Sequence, residues 1–293
     1  MVNEIGRLAW VTAREARGRD DDEPLALAAL GRARAAVDVV DWDDRSVDWA
    51  AYDRVVLRST WDYPQRLAEF LTWLDEVTQV TELVNPPQLV RWSLDKRYLA
   101  ELEAAGVPIT PTVFVEPGST AEFPDGDFVV KPSVGAGSRD AASYGTEDHA
   151  AAAAHVARLH ADGQVVLVQP FLKSVPVDGE WPMVFFDGRF SHAASKRVDL
   201  PRAGAVDDLF AVETNAAHTA AQDQIEVAQA AVDLVTSRFG TPTYARIDLV
   251  RDNDGRYCVL EVELVEPSLF LPQADPAAAD RLAAVLTSPR DGR

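Results

Sequence analysis

Three carboxylates and an arginine fall on one face of a hairpin predicted near the carboxyl-terminal end of the chain. Glu261 and Glu263 alternate along one strand, so their side chains project from the same face about 7 Å apart. Asp248 and Arg246 lie on the preceding strand, and pairing around the turn at 252–255 brings them close to that face. Carboxylate oxygens suit Mg²⁺, which usually binds substrate phosphates as well. The hairpin therefore predicts either a magnesium site or a solvent-facing strand with ordinary salt bridges.

A second group of residues has the types that bind phosphate. The predicted strand 128–131 ends on Lys131 and runs into a polar loop that contains Ser133, Gly135, Gly137 and Ser138. Backbone N–H groups of such a loop can surround a phosphate beside the lysine. The loop lacks both the Gly-Lys-Ser/Thr sequence of a P-loop and the third glycine of a dinucleotide fingerprint. By itself it indicates either a phosphate site or an ordinary loop.

Other candidates are scattered along the chain. Lys96 begins a helix predicted over 96–105, and the strand predicted over 165–169 opens into a linker that carries Gln169, Phe171 and Leu172. Glu180 follows this linker, and Lys196-Arg197 ends a later hairpin. Apolar residues beside free backbone groups suit a flat heterocycle, and a carboxylate can accept hydrogen bonds from ribose hydroxyls. Taken singly, Lys96 is equally well an ordinary surface lysine, and Gln169, Phe171 and Leu172 are equally well the end of a strand.

The first part of the chain must position a further polar run. Strands predicted at 8–12, 37–40 and 54–57 alternate with helices predicted at 24–36 and from Pro64, which indicates a small parallel α/β sheet. A polar run follows the third strand directly and contains Arg58, Ser59, Thr60, Asp62 and Tyr63. Loops at the carboxyl ends of parallel strands are where such sheets bind ligands.

The rest of the chain has an α+β pattern. We predict strands at 112–115 and 128–131, a helix at 147–160, hairpins at 181–195 and 244–264, a mobile loop at 198–215 and a helix at 216–239. With a boundary near Asn85-Pro86-Pro87, the predicted domains are 1–92, 93–168 and 169–293.

The charge of the chain limits its partners. The sequence has 28 Lys and Arg against 47 Asp and Glu, a formal net charge of −19, which repels nucleic acid and anionic membranes. It also repels ATP, so a nucleotide site must concentrate cations or use a metal ion. No apolar stretch approaches the roughly 20 residues of a membrane-spanning helix, and we expect a cytoplasmic protein.

The order of these elements resembles the ATP-grasp superfamily, in particular the glutathione synthetase and D-alanine–D-alanine ligase type. The resemblance covers roughly residues 90–270. It implies an ATP-grasp fold in which two α+β subdomains clasp ATP behind the α/β domain. It also implies a reaction in which a carboxylate attacks the γ-phosphate of ATP and an amine captures the acyl phosphate, shielded from water by the glycine loop and the 198–215 loop.

The resemblance also implies a role for each matching residue. Lys96 and Lys131 match the lysines that bind the ATP phosphates, and the loop of Ser133, Gly135, Gly137 and Ser138 matches the glycine loop over them. Gln169, Phe171 and Leu172 match the adenine hinge, and Glu180 matches the ribose ligand. Asp248, Glu261 and Glu263 match the Mg²⁺ ligands, although the last is commonly Asn. Arg246 matches an arginine that steadies the oxyanion, with Lys196 and Arg197 expected to act beside it.

Three further stretches resemble one subgroup of the superfamily, which contains the cycloserine-forming cyclo-ligase. They are residues 58–63, 85–87 and 263–270. That enzyme activates the carboxylate of O-ureido-D-serine and closes the ring intramolecularly. The resemblance implies that a small amino-acid-like substrate is held by Arg58, Ser59, Thr60, Asp62, Tyr63, Arg197, Glu266 and Ser268. Alternatively, Trp61 and Tyr63 only pack a domain interface.

Two other functions stay open at this point. One is an intermolecular ligase that makes a dipeptide or modifies a peptide, which would need a large groove beside Arg58. The other is a catalytically silent nucleotide-binding regulator, against which the presence of Lys96, Lys131, Asp248 and Glu261 argues. A homodimer is expected in either case.

Overall fold

The first sheet is parallel, as its sequence predicts. The computed structural model describes residues 6–198 and 213–289. Strands β1 (Arg7–Thr12), β2 (Ala36–Asp41), β3 (Arg54–Ser59) and β4 (Glu82–Val84) pair in the order β2-β1-β3-β4, with helices α1 (Glu23–Arg32) and α2 (Leu67–Thr78) between them. β1 and β3 are almost continuously apolar because they are buried inside the sheet.

A helix that was not predicted leads out of this sheet. Helix α3 (Pro87–Leu94) begins at the proline pair, and α4 (Tyr98–Ala104) follows it. Proline at the first helical position costs no hydrogen bond, so Pro86-Pro87 starts a helix at the position where the sequence predicts only a domain boundary. The prediction that Lys96 begins a helix is therefore wrong: it lies in the turn between α3 and α4.

The second sheet carries the glycine loop. Strands β5 (Val113–Val115), β6 (Phe128–Pro132), β7 (Ala142–Tyr144) and β8 (Val166–Pro170) are antiparallel in the order β5-β8-β6-β7, and α5 (His149–Ala161) covers them. β7 has only three residues and was not predicted. The glycine loop joins β6 to β7 across the edge of the sheet.

The third sheet contains both predicted hairpins. After the short helix α6 (Val175–Asp178), strands β9 (Trp181–Phe186), β10 (Arg189–Val198), β11 (Glu213–His218), β12 (Tyr244–Arg251) and β13 (Tyr257–Glu263) pair in the order β11-β10-β9-β12-β13. Helix α7 (Gln222–Phe239) is shorter than predicted, because residues 216–218 pair with β10 as part of β11. Most of the predicted 198–215 loop, residues 199–212, lies outside the described residues.

The end of the described chain returns to the first sheet. Helix α8 (Ala278–Thr287) packs against α1, and Leu282 and Leu286 share a buried cluster with Leu8 and Leu30. The predicted α/β and α+β architecture is confirmed, whereas the domain limits 1–92, 93–168 and 169–293 stay predictions. Within the described residues, no helix is long and apolar enough to cross a membrane.

Asn85 ties the first sheet to the third. Its side chain is fully buried and donates from Nδ2 to the carbonyl oxygens of Tyr244 (2.9 Å) and Leu264 (2.8 Å), while Oδ1 accepts from Thr243 N at 2.8 Å. The backbone of Asn85 is left-handed, with φ +64°. Asparagine tolerates this conformation better than most residues.

Asn85→Ala should destabilise the protein. The substitution leaves one N–H and two carbonyl groups unpaired in the interior and adds strain at a positive φ, so we expect the free energy of unfolding in urea to fall by about 3 kcal/mol. Gln79→Ala, at an exposed helix end, should change it by no more than about 0.5 kcal/mol. Equal effects of the two substitutions would show that Asn85 does not link the sheets.

Candidate active site

One cavity brings most of the predicted site residues together. It lies where the second and third sheets meet the end of the first. Its lining includes Tyr63, Lys96, Lys131, Gly135, Gly137, Ser138, Gln169, Phe171, Leu172, Glu180, Lys196, Arg246, Glu261, Glu263, Glu266 and Ser268. These residues come from positions 63 to 268, so only the folded chain makes them neighbours.

Arg246 is bound to two carboxylates at the floor of this cavity. Its Nε and Nη2 atoms donate to Oδ1 and Oδ2 of Asp248 at 2.8 and 2.9 Å, and Nη2 also donates to Glu263. The strand register places Arg246 opposite Glu263 and Asp248 opposite Glu261. Burial acts to raise the pKa of Asp248, but Arg246 and Lys196 hold it below its ordinary value. Burial, with repulsion from Glu261 and Asp248, raises the pKa of Glu263 to about 8.

The three predicted metal ligands share one sheet face, but each of them is paired with a lysine or an arginine. Asp248 is fully buried and is bound by Arg246 and, at 3.4 Å, by Lys196, while Glu261 Oε1 lies 2.8 Å from Lys96 Nζ. Among residues 6–198 and 213–289, no three His, Cys, Asp or Glu side chains are grouped so as to hold one metal ion. Glu261 and Glu263 line the cavity, whereas Asp248 lies beneath them.

The two predicted phosphate-binding lysines differ in their partners. Lys96 is 6% exposed and donates to Gly135 O at 2.9 Å as well as to Glu261. The Lys131 ammonium has no hydrogen bond or ion pair with any residue that the structure describes. Burial and the nearby Lys96 and Lys196 lower the pKa of Lys131, although Glu261 opposes this. Lys131 is therefore a cation in the cavity wall that is available to an anionic ligand.

The glycine loop has a backbone conformation that can surround an anion. Gly137, Ser138 and Asp140 have φ of 63°, 60° and 59°, so successive turns point N–H groups in changing directions. A side chain at Gly135 would come within 3.3 Å of Pro132. Ser133 is 2% exposed and does not line the cavity; it directly follows β6, and its N–H donates to Val165 O at 2.8 Å.

The predicted nucleotide hinge lies along one wall. Gln169 is buried and its Nε2 donates to Thr112 Oγ1 at 2.8 Å. Glu180, predicted as a ribose ligand, is paired with Lys196 at 2.7 Å. Burial raises the pKa of Glu180, although Lys196 opposes this. Leu172 is 5% exposed and forms part of the apolar wall.

The structure does not bring Arg58, Ser59, Thr60 and Asp62 to the cavity. The first three are fully or almost fully buried, since β3 is an inner strand of the first sheet. Ser59 Oγ donates to Thr12 Oγ1 at 2.7 Å, and Asp62 accepts from Trp42 Nε1 at 2.8 Å. Arg58 Nη2 donates to Pro267 O at 2.8 Å. These four side chains are therefore not placed to bind a substrate in the cavity, contrary to the prediction.

Arg197 also lies outside the cavity. Its side chain is exposed and donates to Val177 O at 2.9 Å, because alternation along β10 turns Lys196 inward and Arg197 outward. Only Lys196 of this pair is placed to act at the site. Trp61, treated as an interface residue, does line the cavity.

Backbone-directed hydrogen bonds hold the residues that follow β13, which we call the 265–271 segment. Tyr244 Oη donates to Val265 O at 2.9 Å, Trp61 Nε1 to Glu266 O at 3.2 Å, and Arg246 Nη1 to Ser268 O at 3.1 Å. These bonds place the side chains of Glu266 and Ser268 in the cavity. Burial raises the pKa of Glu266 to about 7.

Phe270 and Arg139 are among the cavity residues that the sequence did not predict. Phe270 lies within a motif that was noted, yet its role depends on a left-handed backbone (φ 51°) that no aromatic residue favours. Arg139 follows the glycine loop directly, and a cation beside a phosphate loop was a signal that could have found it.

Comparisons with known proteins show which proteins the chain is similar to in sequence and in fold. The family model of the N-terminal domain of D-cycloserine synthetase DcsG matches residues 8–85. The chain is 42% identical to the cycloserine biosynthesis protein DcsG of Streptomyces lavendulae over 287 residues, which cover 94% of this chain and 96% of that protein. The crystal structure of D-cycloserine synthetase DcsG superposes with a TM-score of 0.90 at 41% identity and covers 96% of this chain and 99% of its own.

A more distant similarity concerns the fold. A D-alanine–D-alanine ligase from Bacillus anthracis superposes with a TM-score of 0.65 at 15% identity, over 96% of this chain and 95% of that chain. The fold and the cavity, with its lysines, glycine loop and carboxylate face, define an ATP-grasp ligase that forms C–N bonds. Within this class, the chain belongs to the DcsG family.

Lys131→Met should weaken ATP binding. Methionine keeps an unbranched apolar side chain but removes the charge that is free to meet a phosphate, so we expect the dissociation constant for ATP in calorimetry to rise about tenfold or more. Lys173→Met removes the same charge from an exposed position outside the cavity lining and serves as the matched control. Equal ATP affinity of the two variants would exclude a phosphate role for Lys131.

Proposed function

We propose that this chain uses ATP and Mg²⁺ to activate the carboxylate of O-ureido-D-serine, or a closely similar small amino acid, and closes it into D-cycloserine. The observation that carries the proposal is a single cavity in which Lys131, which has no ion-pair partner among the described residues, and the glycine loop face the carboxylates of β13. The similarity to DcsG along nearly the whole chain supports the choice of substrate.

The cavity offers carboxylate oxygens of the kind that a divalent cation binds, although in the described structure these carboxylates are paired with Lys96 and Arg246 and are not grouped around one point. Asp248, Glu261 and Glu263 would hold Mg²⁺, since they offer hard oxygen ligands from two neighbouring strands. Burial, together with repulsion from Glu261 and Asp248, raises the pKa of Glu263, and a cation bound there would offset that repulsion. Lys96 and Arg246 hold these carboxylates in place in the structure. When bound, Mg²⁺ would neutralise charge on the phosphates.

The side chains around the glycine loop would orient the nucleotide. Lys131 and Lys96 would bind phosphate oxygens, with backbone N–H groups of the loop beside them. A substrate carboxylate oxygen then attacks the γ-phosphorus and ADP leaves, which gives an acyl phosphate. Arg246 would offset negative charge that develops at the reacting carboxyl. Lys196 would support this role by holding Asp248 and Glu180.

The other end of the cavity would hold the amino-acid part of the substrate. Glu266 offers a carboxyl for an ammonium group, and the Tyr63 hydroxyl contacts that carboxyl. Ser268 adds a hydroxyl to the same wall. The ring closes when the substrate's own ureido nitrogen attacks the acyl carbon and phosphate leaves. The carbamoyl group on that nitrogen must be lost by hydrolysis for cycloserine to form.

The structure favours a small substrate over a peptide. A peptide-modifying ligase would need an open groove beside Arg58, but in the described part of the chain Arg58 is only 1% exposed and is bound to Pro267. A silent regulator is not favoured either, since Lys96, Lys131 and Arg246 line the cavity together with Glu261 and Glu263. A homodimer and a cytoplasmic location stay predictions.

ADP release should identify the substrate. We expect magnesium-dependent ADP formation with O-ureido-D-serine and little with single unmodified amino acids. Only O-ureido-D-serine carries a ureido nitrogen that can attack its own activated carboxyl group and close the ring. Mass spectrometry of the product should show a cyclic amide. ADP release only when two amino acids or a peptide are supplied would contradict the cyclo-ligase and favour intermolecular ligation.

Glu261→Gln should abolish ADP formation without unfolding the protein. The amide keeps the shape but removes a charge that both Lys96 and the metal would use, so we expect the rate of ADP formation to fall at least about a hundredfold. Circular dichroism should show an unchanged fold. Glu122→Gln, at an exposed position, is the control. Unchanged turnover in Glu261→Gln, or turnover that persists in excess EDTA, would exclude the metal assignment.

A further inference from the structure

Asp22 reaches from the start of α1 to the 265–271 segment. It is 2% exposed, its Oδ2 accepts from Leu269 N at 2.5 Å, and its Oδ1 accepts from Leu271 N at 2.7 Å. The two amides lie on either side of Phe270. The Asp22 carboxylate, beside the first sheet, therefore fixes the backbone on both sides of Phe270 in the wall of the cavity.

Phe270 needs this restraint. Its backbone is left-handed (φ 51°, ψ 38°), a conformation that is rare and strained for a bulky side chain. Its ring lies 5.5 Å from the Arg246 guanidinium and lines the cavity. Such strain persists only where the surroundings hold it, and the two hydrogen bonds to Asp22 do so here.

Arg58 holds the other half of the same segment. It is 1% exposed, its Nη2 donates to Pro267 O at 2.8 Å, and it lies 3.6 Å from Asp22 Oδ2. The guanidinium also lies over the rings of Trp10 and Tyr244, at 5.3 and 5.6 Å. Neither Asp22 nor Arg58 is part of the cavity wall. A buried ion pair adds little stability compared with apolar packing, so its geometric effect is the better account of it.

We propose that Asp22 and Arg58 are positioning residues that set the affinity for the amino-acid substrate, because they fix Glu266, Ser268 and Phe270 at the substrate end of the cavity. The inference rests on the proposed function, which assigns that end to the substrate. Displacing the segment by a fraction of an ångström changes the contacts to a small ligand. The ATP end, built from β6, the glycine loop and β8, is not anchored by this pair.

The test compares Asp22→Asn with the unmodified full-length chain. Asparagine keeps the shape but presents an NH₂ group to one of the two amides, so one hydrogen bond is replaced by a donor–donor contact. In steady-state ADP release we expect KM for the amino-acid substrate to rise by about tenfold or more. The calorimetric affinity for ATP alone should stay within about twofold. Amide hydrogen exchange at 269 and 271 should become faster.

Two further variants keep the test decisive. Arg58→Lys retains the charge but not the fork that reaches Pro267, so KM for the substrate should rise above that of the unmodified chain while the affinity for ATP stays unchanged. This variant decides the case if Asp22→Asn does not fold. Arg32→Ala breaks the exposed ion pair between Arg32 and Asp280 (2.5 Å), which also joins α1 to α8, and should leave both KM values unchanged.

The opposite results are equally clear. An unchanged KM for the substrate in Asp22→Asn, or an equal loss of substrate and ATP affinity, would make the pair a purely structural link and overturn the inference. Unchanged exchange at 269 and 271 would overturn it whatever the reaction, since that measurement needs no substrate. Absence of ADP release by the unmodified chain would contradict the proposed function instead.

Discussion

The site depends on one buried arginine that several elements share. Arg246 lies on β12, beside the central strand of the third sheet, and binds Asp248 on its own strand, Glu263 on the neighbouring strand and the carbonyl oxygen of Ser268. A guanidinium is suited to this because its donors point in fixed directions within one plane. The arginine thereby couples the carboxylate face, where a metal would bind, to the segment that faces the substrate.

This arrangement also explains how an acidic chain can form a site for a polyanion. The net charge of −19 is spread over the surface, whereas Lys96, Lys131, Lys196 and Arg246 meet at one cavity. Three of them are paired with carboxylates of the wall, and only Lys131 lacks a partner among the described residues. Pairing offsets the desolvation cost of the buried charges, and Lys131 leaves local positive potential for a phosphate.

Asn85, Asp22 and Arg58, which belong to the first sheet and its connections, contribute to the site by binding the backbone of other elements and not by entering the cavity. Asn85 binds the ends of β12 and β13, and Asp22 and Arg58 bind the 265–271 segment. Hydrogen bonds to the backbone fix the position of a segment without restricting which side chains it carries.

The sequence by itself was sufficient for the α/β and α+β order, both hairpins and the identity of most of the charged cavity residues. Alternation along a strand is local, so Glu261 and Glu263 had to share a face, and the order of lysines, glycine loop and carboxylates is a linear property. Only the tertiary structure decided that Arg58 is buried and Asp62 is bound to Trp42, that Asp248 is bound by Arg246 and Lys196, and that Phe270 is held left-handed. Those outcomes depend on contacts between residues up to about 250 positions apart, such as Asp22 with Leu271, and no local pattern encodes them.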